Sequence, residues 1–199
     1  RDSSTSRGLG DVYKRQNTNG ERDYMDKLDI VTDESGNEVV LLPEIIFSNK
    51  QNINWNDVED YLGKYVGELI EIAETRDIIY IGNKFPDEYG GSSYTRKTKG
   101  ARAKAKANAA QGIREMVEIA TDKVYRENHK EKHSEDAHNG WFYYVTRFAI
   151  PLYNNEKKTG EYNVYSACLV VNHAANGKMY LYDVVDIKKE ASNPLKTIK

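Results

Sequence analysis

Four ionisable side chains that could carry out acid–base chemistry fall within one stretch of ten residues: His129, Lys132, His133 and His138. A histidine titrates near neutral pH and can serve as a general acid or base. A lysine can stabilise the negative charge that develops on a phosphate during its transfer. The cluster therefore suits acid–base chemistry at a phosphate, and it also suits a solvated surface segment that does no chemistry.

A metal site is the other chemical interpretation of these histidines. His129 and His133 are spaced i, i+4, but the segment between them reads H-K-E-K-H. Its Glu comes one place later than in the zinc-protease pattern H-E-x-x-H, and no second group of ligands is apparent. We therefore predict neither a metal nor a cofactor.

Arg147 is a cation inside an otherwise apolar run. Strand alternation places it on one face with Trp141 and Tyr143, opposite the more apolar face that carries Tyr144. It could clamp an oxyanion through two parallel hydrogen bonds, or it could pair with an acidic residue on a neighbouring strand. Ser166, in the next predicted strand, could donate to a phosphate or be a satisfied buried hydroxyl. No G-x-S-x-G motif surrounds it, so serine hydrolysis is not indicated.

Positive charge is concentrated in one part of the chain. Residues 96–133 contain eleven Lys or Arg and five Asp or Glu, although the whole 199-residue chain has a net charge of -2. Arg102, Lys104 and Lys106 fall in the first turns of a predicted helix, where cations oppose the helix dipole. The run predicts binding to a phosphate backbone without sequence choice, or else a solvated helix face.

Helical spacing and strand alternation indicate an α+β fold in one domain, with helices on one face of an antiparallel sheet. Pro86 and the Gly90-Gly91 pair predict a loop over 84–93, and Asn176-Gly177 predicts a type I′ hairpin. The remaining predicted elements are a strand over Glu44–Phe47, a helix over Trp55–Val66 capped by Asn54, a hairpin of Leu69–Ala73 with Ile78–Ile81, a helix over Ala101–Lys123, and strands over Trp141–Leu152, Tyr162–Val171 and Met179–Ile187. A helix that continues to Glu74 is the alternative to the first strand of that hairpin.

The two ends of the chain differ from the rest. Arg1–Gln16 resembles a translated sequencing-adapter string and has no apolar periodicity, so we exclude it from the predicted fold. Residues 17–42 are polar and acidic and predict a linker with a short strand at Val39–Leu42, which leaves 43–195 as the domain. The single cysteine, Cys168, cannot form an internal disulfide or a zinc cluster. No run approaches the ~18 apolar residues of a membrane span.

Several separated blocks share a family likeness: K-A-N-A-A-Q-G-I, K-H-S-E-D-A-H-N-G-W-F-Y-Y, T-R-F-A-I-P-L and N-G-K-M-Y-L-Y-D-V-V-D-I-K-K. They resemble the phage-associated barnase–EndoU–colicin E5/D–RelE-like (BECR) nuclease domains, the third phage family in particular. The resemblance implies helices followed by a four-stranded antiparallel sheet, and RNA cleavage by the 2′-OH without a metal. It implies His133 as the acid–base group, Arg147 and Lys132 as phosphate stabilisers, and Ser166 as an orienting hydroxyl.

The sequence therefore predicts a metal-independent endoribonuclease-like toxin or effector domain of a phage or mobile-element polyprotein. The alternatives are a non-catalytic nucleic-acid-binding domain and an inactive structural segment. Expected partners are RNA, with tRNA as one candidate, and an immunity protein, with no membrane involved. The expected location is the cytoplasm of a bacterial host, with delivery from a phage particle as one route. The predicted substrate-binding residues are Arg102, Lys104, Lys106, His138, Tyr143 and Lys178.

Overall fold

A curled sheet built around one long hairpin dominates the fold. The computed structural model describes residues 27–49, 52–129, 135–191 and 193–196. In chain order its elements are β1 Ile30–Thr32, β2 Glu38–Leu41, α1 Trp55–Leu62, β3 Leu69–Glu71, β4 Ile78–Tyr80, α2 Phe85–Gly91, α3 Ser93–Lys97, α4 Gly100–Ala109, α5 Ile113–Glu118, β5 Thr121–Arg126, β6 Trp141–Asn154, β7 Lys157–His173, β8 Met179–Lys189 and β9 Leu195–Lys196.

The sheet has nine strands and mixed directions. Its main order is β1-β2-β6-β7-β8-β4-β3, with β5 added to β6 and β9 added to β7. The β2–β6 and β4–β8 pairs are parallel, and the other pairs are antiparallel. The prediction of helices followed by a four-stranded antiparallel sheet is therefore wrong, because the sheet is larger, mixed and curled into a half-barrel.

Of the additional strands, β2 and the β3–β4 hairpin occur where the sequence predicts strands, whereas β1 and β5 occur in segments predicted as a linker and as the end of a helix. β1, β2, β3 and β4 are three or four residues long, too short to display a clear alternation. β1 and β2 lie in the range that composition assigned to a linker. The parallel pairs join positions far apart in the chain, since Val40 pairs with Phe148 and Ile79 with Met179. Such non-local pairing leaves no mark on local periodicity.

The helices are short, and none of the five α-helices in the described residues exceeds ten residues. Asn54 caps α1 as predicted, because its side chain accepts a hydrogen bond from the backbone N–H of Asn56. The predicted Ala101–Lys123 helix is wrong at its end: α5 stops at Glu118, and the chain then enters β5. The predicted loop over 84–93 contains α2, which begins with Pro86 in its first turn. None of these described helices is long and apolar enough to cross a membrane.

The helices pack on one face of the sheet, and that face carries the main core. Tyr144 and Phe148 of β6 are fully buried there, as the predicted alternation required. Thr146, on the same face, donates its hydroxyl hydrogen to the backbone oxygen of Met116 in α5 at 2.7 Å.

The opposite face carries two smaller apolar clusters, to which no described helix contributes. We call this surface the open face. It is formed by Arg126 of β5, by Trp141, Tyr143, Val145 and Arg147 of β6, by Ser166, Cys168 and Val170 of β7, and by Tyr182 and Lys188 of β8.

Candidate functional site

Three hydrogen-bond donors from adjacent strands lie side by side in the middle of the open face. Arg147 of β6 is the cross-strand partner of Ser166 of β7, and Ser166 is the partner of Lys188 of β8. Directly opposed residues of antiparallel strands bring their Cβ atoms to about 4.5–5.5 Å. These three residues, which we call the donor row, can therefore present a guanidinium, a hydroxyl and an ammonium group to one anion.

Glu190 holds the guanidinium of Arg147 in place. Its Oε1 atom accepts a hydrogen bond from Nε of Arg147 at 3.0 Å, and each side chain is 26% exposed. The structural ion pair that the sequence left open is thus present, but it uses Nε alone. Within the described part of the chain, neither the terminal nitrogens of Arg147 nor the Ser166 hydroxyl has a hydrogen-bond partner in the protein, although the carboxylate of Asp33 is close enough to feel the charge of Arg147. Arg147 is therefore anchored through Nε, and its two terminal nitrogens could donate hydrogen bonds to a ligand.

An aromatic groove of about 550 Å³ lies at one end of the open face. Its aromatic lining consists of Tyr143, Tyr182 and the largely buried Trp141, and its charged or titratable lining consists of Arg126, Glu127 and His129. The Trp141 and Tyr182 rings meet edge to face, with 5.0 Å between their centroids, and the Arg126 guanidinium lies 4.9 Å from the Tyr143 ring centroid. Rings and a guanidinium arranged in this way can stack against the bases of a single strand.

The titratable side chains of the open face that show shifted pKa values are held neutral. Burial raises the pKa of the Tyr143 hydroxyl, and the nearby Arg126 acts in the opposite direction. Burial and a hydrogen bond to Glu88 raise the pKa of Tyr182. Burial also raises the pKa of the Cys168 thiol to about 11, so this cysteine is protonated at neutral pH and is not an activated nucleophile.

The donor row and the aromatic groove are separate subsites on one surface. Tyr143 and Arg147 are four residues apart on the same strand, which corresponds to about 13 Å at the rise of a β-strand. One phosphate cannot contact both places. Successive nucleotides of one strand can, because no described helix covers the face between them.

The predicted catalytic residues divide into two pairs. Lys132 and His133 lie outside the described residues. Arg147 and Ser166 are brought together as direct neighbours on paired strands. Tyr143, a predicted substrate-binding residue, lies on the same face in the aromatic groove.

Two other predicted binding residues belong neither to the donor row nor to the aromatic groove. His138 is exposed and lines a different, shallow cavity. Lys178 is exposed in the turn between β7 and β8, with Nζ 4.9 Å from the ring centroid of Tyr80. A cavity of about 320 Å³ beside that turn is lined by three acidic residues, Glu88, Glu135 and Asp136, and by one cation, Lys84, which is already paired with Asp136, so its net charge disfavours a phosphate.

The three predicted cations of α4 have three different environments. Arg102 is exposed and Lys104 is half-buried, whereas the side chain of Lys106 is completely buried. Lys106 Nζ lies 2.6 Å from Oδ1 of Asp183 in β8, and the rings of Tyr89 and Tyr94 flank it. Lys106 is therefore part of the core and is not available to RNA.

Several residues on or beside the open face were not predicted as site residues from the sequence. Lys188 and Glu190 belong to the run K-K-E that directly follows the predicted end of the last strand. Their charges were visible, but their position beside Arg147 depends on strand register. Arg126 follows a segment that was predicted as the end of a helix, so its place on a strand could not be foreseen.

No three His, Cys, Asp or Glu side chains in the described ranges are grouped so that they could hold a metal ion. Comparison with protein-family models, with curated proteins and with solved structures finds no significant match to this chain.

Proposed function

We propose that the protein binds single-stranded RNA along the open face of its sheet. The observation that carries this proposal is the presence of the donor row and the aromatic groove on one face of the sheet, on which no described helix packs. The donor row would hold a phosphate, and the rings of the groove would stack against neighbouring bases. The sequence resemblance to BECR nuclease domains supports RNA as the nucleic acid.

Stacking must supply much of the affinity, because the open face has few cations. Arg126, Arg147 and Lys188 could make three phosphate contacts at most, and Arg147 shares its charge with Glu190. Each contact with a single strand contributes roughly 0.7 to the log–log salt slope, so we expect a slope of about 2 in magnitude. Stacking on an aromatic side chain contributes about 1–3 kcal/mol per base.

Fluorescence anisotropy with a labelled RNA of about ten nucleotides, in EDTA, tests the binding proposal. Tyr143→Ala should weaken binding by about 1–3 kcal/mol, and Arg147→Ala by about 1.5–3 kcal/mol, the usual contribution of a hydrogen bond to a charged group. Lys158→Ala is the matched control, because Lys158 is an exposed cation of β7 that lies far along the strand from the donor row.

Thermal unfolding must show that each variant stays folded, since Arg147→Ala leaves Glu190 without its cation. If all three variants bind like the unchanged protein, the open face does not bind RNA. If Lys158→Ala weakens binding as much as the others, the effect is one of general charge.

Metal-free RNA cleavage is a second candidate function, favoured by the position of Glu190. Its carboxylate lies beside the guanidinium that would hold the phosphate. There it could take the proton of the 2′-OH as O2′ attacks phosphorus and the P–O5′ bond breaks, which leaves a 2′,3′-cyclic phosphate. Arg147 and Lys188 would stabilise the charge on the non-bridging oxygens. The acid that protonates the leaving 5′-oxygen is assigned to His133 by the sequence resemblance alone.

Glu190→Gln separates the two functions. Removal of a general base should lower the cleavage rate about 10²–10⁴-fold in EDTA while RNA affinity changes little. An RNA with 2′-deoxyribose at every position should stay intact, and so should RNA treated with His133→Ala protein. If RNA is bound but never cut between about pH 5 and pH 9, cleavage is wrong and binding stands. If RNA is not bound at all, both proposals fail.

A further inference from the structure

Five cations crowd the corner where α3 meets α4. They are Arg96, Lys97, Lys99, Arg102 and Lys104, and we call them the basic corner. No acidic residue occurs anywhere from 89 to 114. Four of the five are exposed and Lys104 is half-buried. None of the five forms an ion pair with any residue in the described ranges.

Arg96 and Lys97 lie in the last turn of α3, where cations interact favourably with the helix dipole, but folding does not account for the charges at the start of α4. Lys99 occupies the N-cap position of α4 without a side-chain capping bond, and Arg102 lies in the first turn. Cations at this end of a helix oppose its dipole. One turn further on, Lys106 shows the alternative, because it is buried and paired with Asp183. Four of the five cations of the basic corner are instead exposed, and none is paired with an acid among the described residues, as expected of a surface that binds an anion.

The basic corner adjoins the open face at the edge of β8. The Tyr94 hydroxyl of α3 accepts a hydrogen bond from the backbone N–H of Ile187 at 2.8 Å, so α3 flanks the final part of that strand. Lys188 then points to the open face beside Ser166, and Lys189 pairs with Tyr165, whose ring packs toward the main core. Both lysines are exposed. A path from the basic corner over the sheet edge to the donor row thus carries two cations, Lys188 and Lys189, and one exposed anion, Asp186, whose charge acts on Tyr94 of α3 and on Cys168 of the open face.

The two surfaces suit different forms of nucleic acid. The open face has rings that can receive unpaired bases. The five members of the basic corner are all cations on long flexible stems and include no aromatic ring, so the corner suits phosphates better than unpaired bases. A duplex hides its bases and presents two phosphate strands, which gives such a patch the highest density of charge.

We infer that the substrate is an RNA in which a duplex adjoins a single strand, with the duplex on the basic corner and the single strand on the open face. This inference rests on the proposed binding of single-stranded RNA. The charged path across Lys188 and Lys189 is where the two parts of such an RNA would meet.

Three labelled RNAs test the inference: a single strand of about ten nucleotides, a blunt hairpin, and the same hairpin extended by that single strand. The extended hairpin should bind at least about 10-fold tighter than the single strand alone. Lys97→Gln/Lys99→Gln should remove most of this advantage and reduce the salt slope by roughly 1.4–1.8, the effect of two phosphate contacts. Binding of the isolated single strand should not change.

Lys157→Gln/Lys158→Gln is the matched control, because it removes two exposed charges at the tip of the β6–β7 hairpin. The inference is overturned if the extended hairpin binds no tighter than the single strand, or if the control pair has the same effect as Lys97→Gln/Lys99→Gln. Loss of single-strand binding by Tyr143→Ala is the separate readout for the open face. If Tyr143→Ala leaves single-strand binding unchanged and the other results are as expected, the proposed function of the open face is contradicted. Binding of phosphates by the basic corner is then not contradicted.

Discussion

The buried pair of Lys106 and Asp183 should respond to mutation in a way that an RNA-binding lysine would not. Their side chains are 0% and 3% exposed, and the Nζ–Oδ1 distance is 2.6 Å. Burial lowers the pKa of Lys106 and raises that of Asp183, while their mutual attraction acts in the reverse direction. Replacement of either partner leaves the other in the core without a counter-charge.

The cost follows from the proton that the remaining partner must gain or lose. In the Lys106→Met protein, the buried Asp183 becomes neutral by binding a proton. This protonation costs about 4 kcal/mol at pH 7, because the ordinary pKa of Asp lies about three units below that pH. In Asp183→Leu, Lys106 must lose a proton at a cost of about 4–5 kcal/mol. Both values agree with the roughly 3–5 kcal/mol found when buried ion pairs are broken.

The two single variants should depend on pH with opposite signs. In the Lys106→Met protein, the pKa of Asp183 is higher in the folded than in the unfolded state. This variant therefore regains stability as the pH falls toward about 4 and loses it as the pH rises. In Asp183→Leu the folded Lys106 has a lowered pKa, so stability is regained as the pH rises toward about 10. Lys106→Met/Asp183→Leu removes both charges and should lie within about 1 kcal/mol of the unchanged protein.

Urea unfolding at about pH 5, 7 and 9 measures these free energies. Lys104→Met is the matched control, because Lys104 lies on the same helix but is half-buried and unpaired, and it should change stability by less than about 0.5 kcal/mol. If Lys106→Met costs under about 1 kcal/mol at pH 7, or if both single variants share one pH slope, the buried-pair reasoning is refuted.

Three further results are expected. Gly140→Ala should cost more than about 1 kcal/mol in urea unfolding, because its φ is +93° and the new Cβ would lie 2.7 Å from the Tyr125 ring; Gly177→Ala, with φ +80° and open space around it, should cost less. Burial alone would raise the pKa of Asp77, but three side-chain hydrogen bonds outweigh it and lower that pKa. The stability that ionised Asp77 contributes is therefore complete above about pH 4 and is lost as the pH falls. In Asp77→Asn the free energy of unfolding should accordingly fall less steeply below about pH 4 than it does in the unchanged protein. Cys168 should react with iodoacetamide at pH 8 about 100-fold more slowly in the folded protein than in urea, because burial raises its pKa to about 11; equal rates would contradict this.

The long strands could be predicted because their alternation extends over many residues. Tyr143 and Tyr144 fall on opposite faces as the sequence indicates, and Tyr144 is the one in the main core. The hairpin between β7 and β8 was also foreseen, although not its turn type. Gly177 has a positive φ and Asn176 does not, so the turn is not of type I′.

The partner of Arg147 could not be predicted, because it depends on an irregularity in the hairpin. At the turn end Asn154 pairs with Lys157, and continuation of that register would place Val164 opposite Arg147. A register shift between Pro151 and Tyr153 places Ser166 there instead. Proline lacks the N–H that a regular ladder needs, which fits a break at this point. A shift of two residues preserves the face of every side chain, so the hydrophobic pattern does not reveal it.

The parallel pairing of β2 with β6 sets the order in which the chain can fold during synthesis. Val40 is fully buried against a strand whose matching residue, Phe148, is translated about a hundred residues later. At roughly 5–20 residues per second, the apolar run from Val39 to Leu42 waits about 5–20 s for the strand edge that buries it. A chaperone that binds exposed apolar segments has that interval in which to act. The pair of strands β1 and β2 thus reaches its native position only after most of the domain has been synthesised.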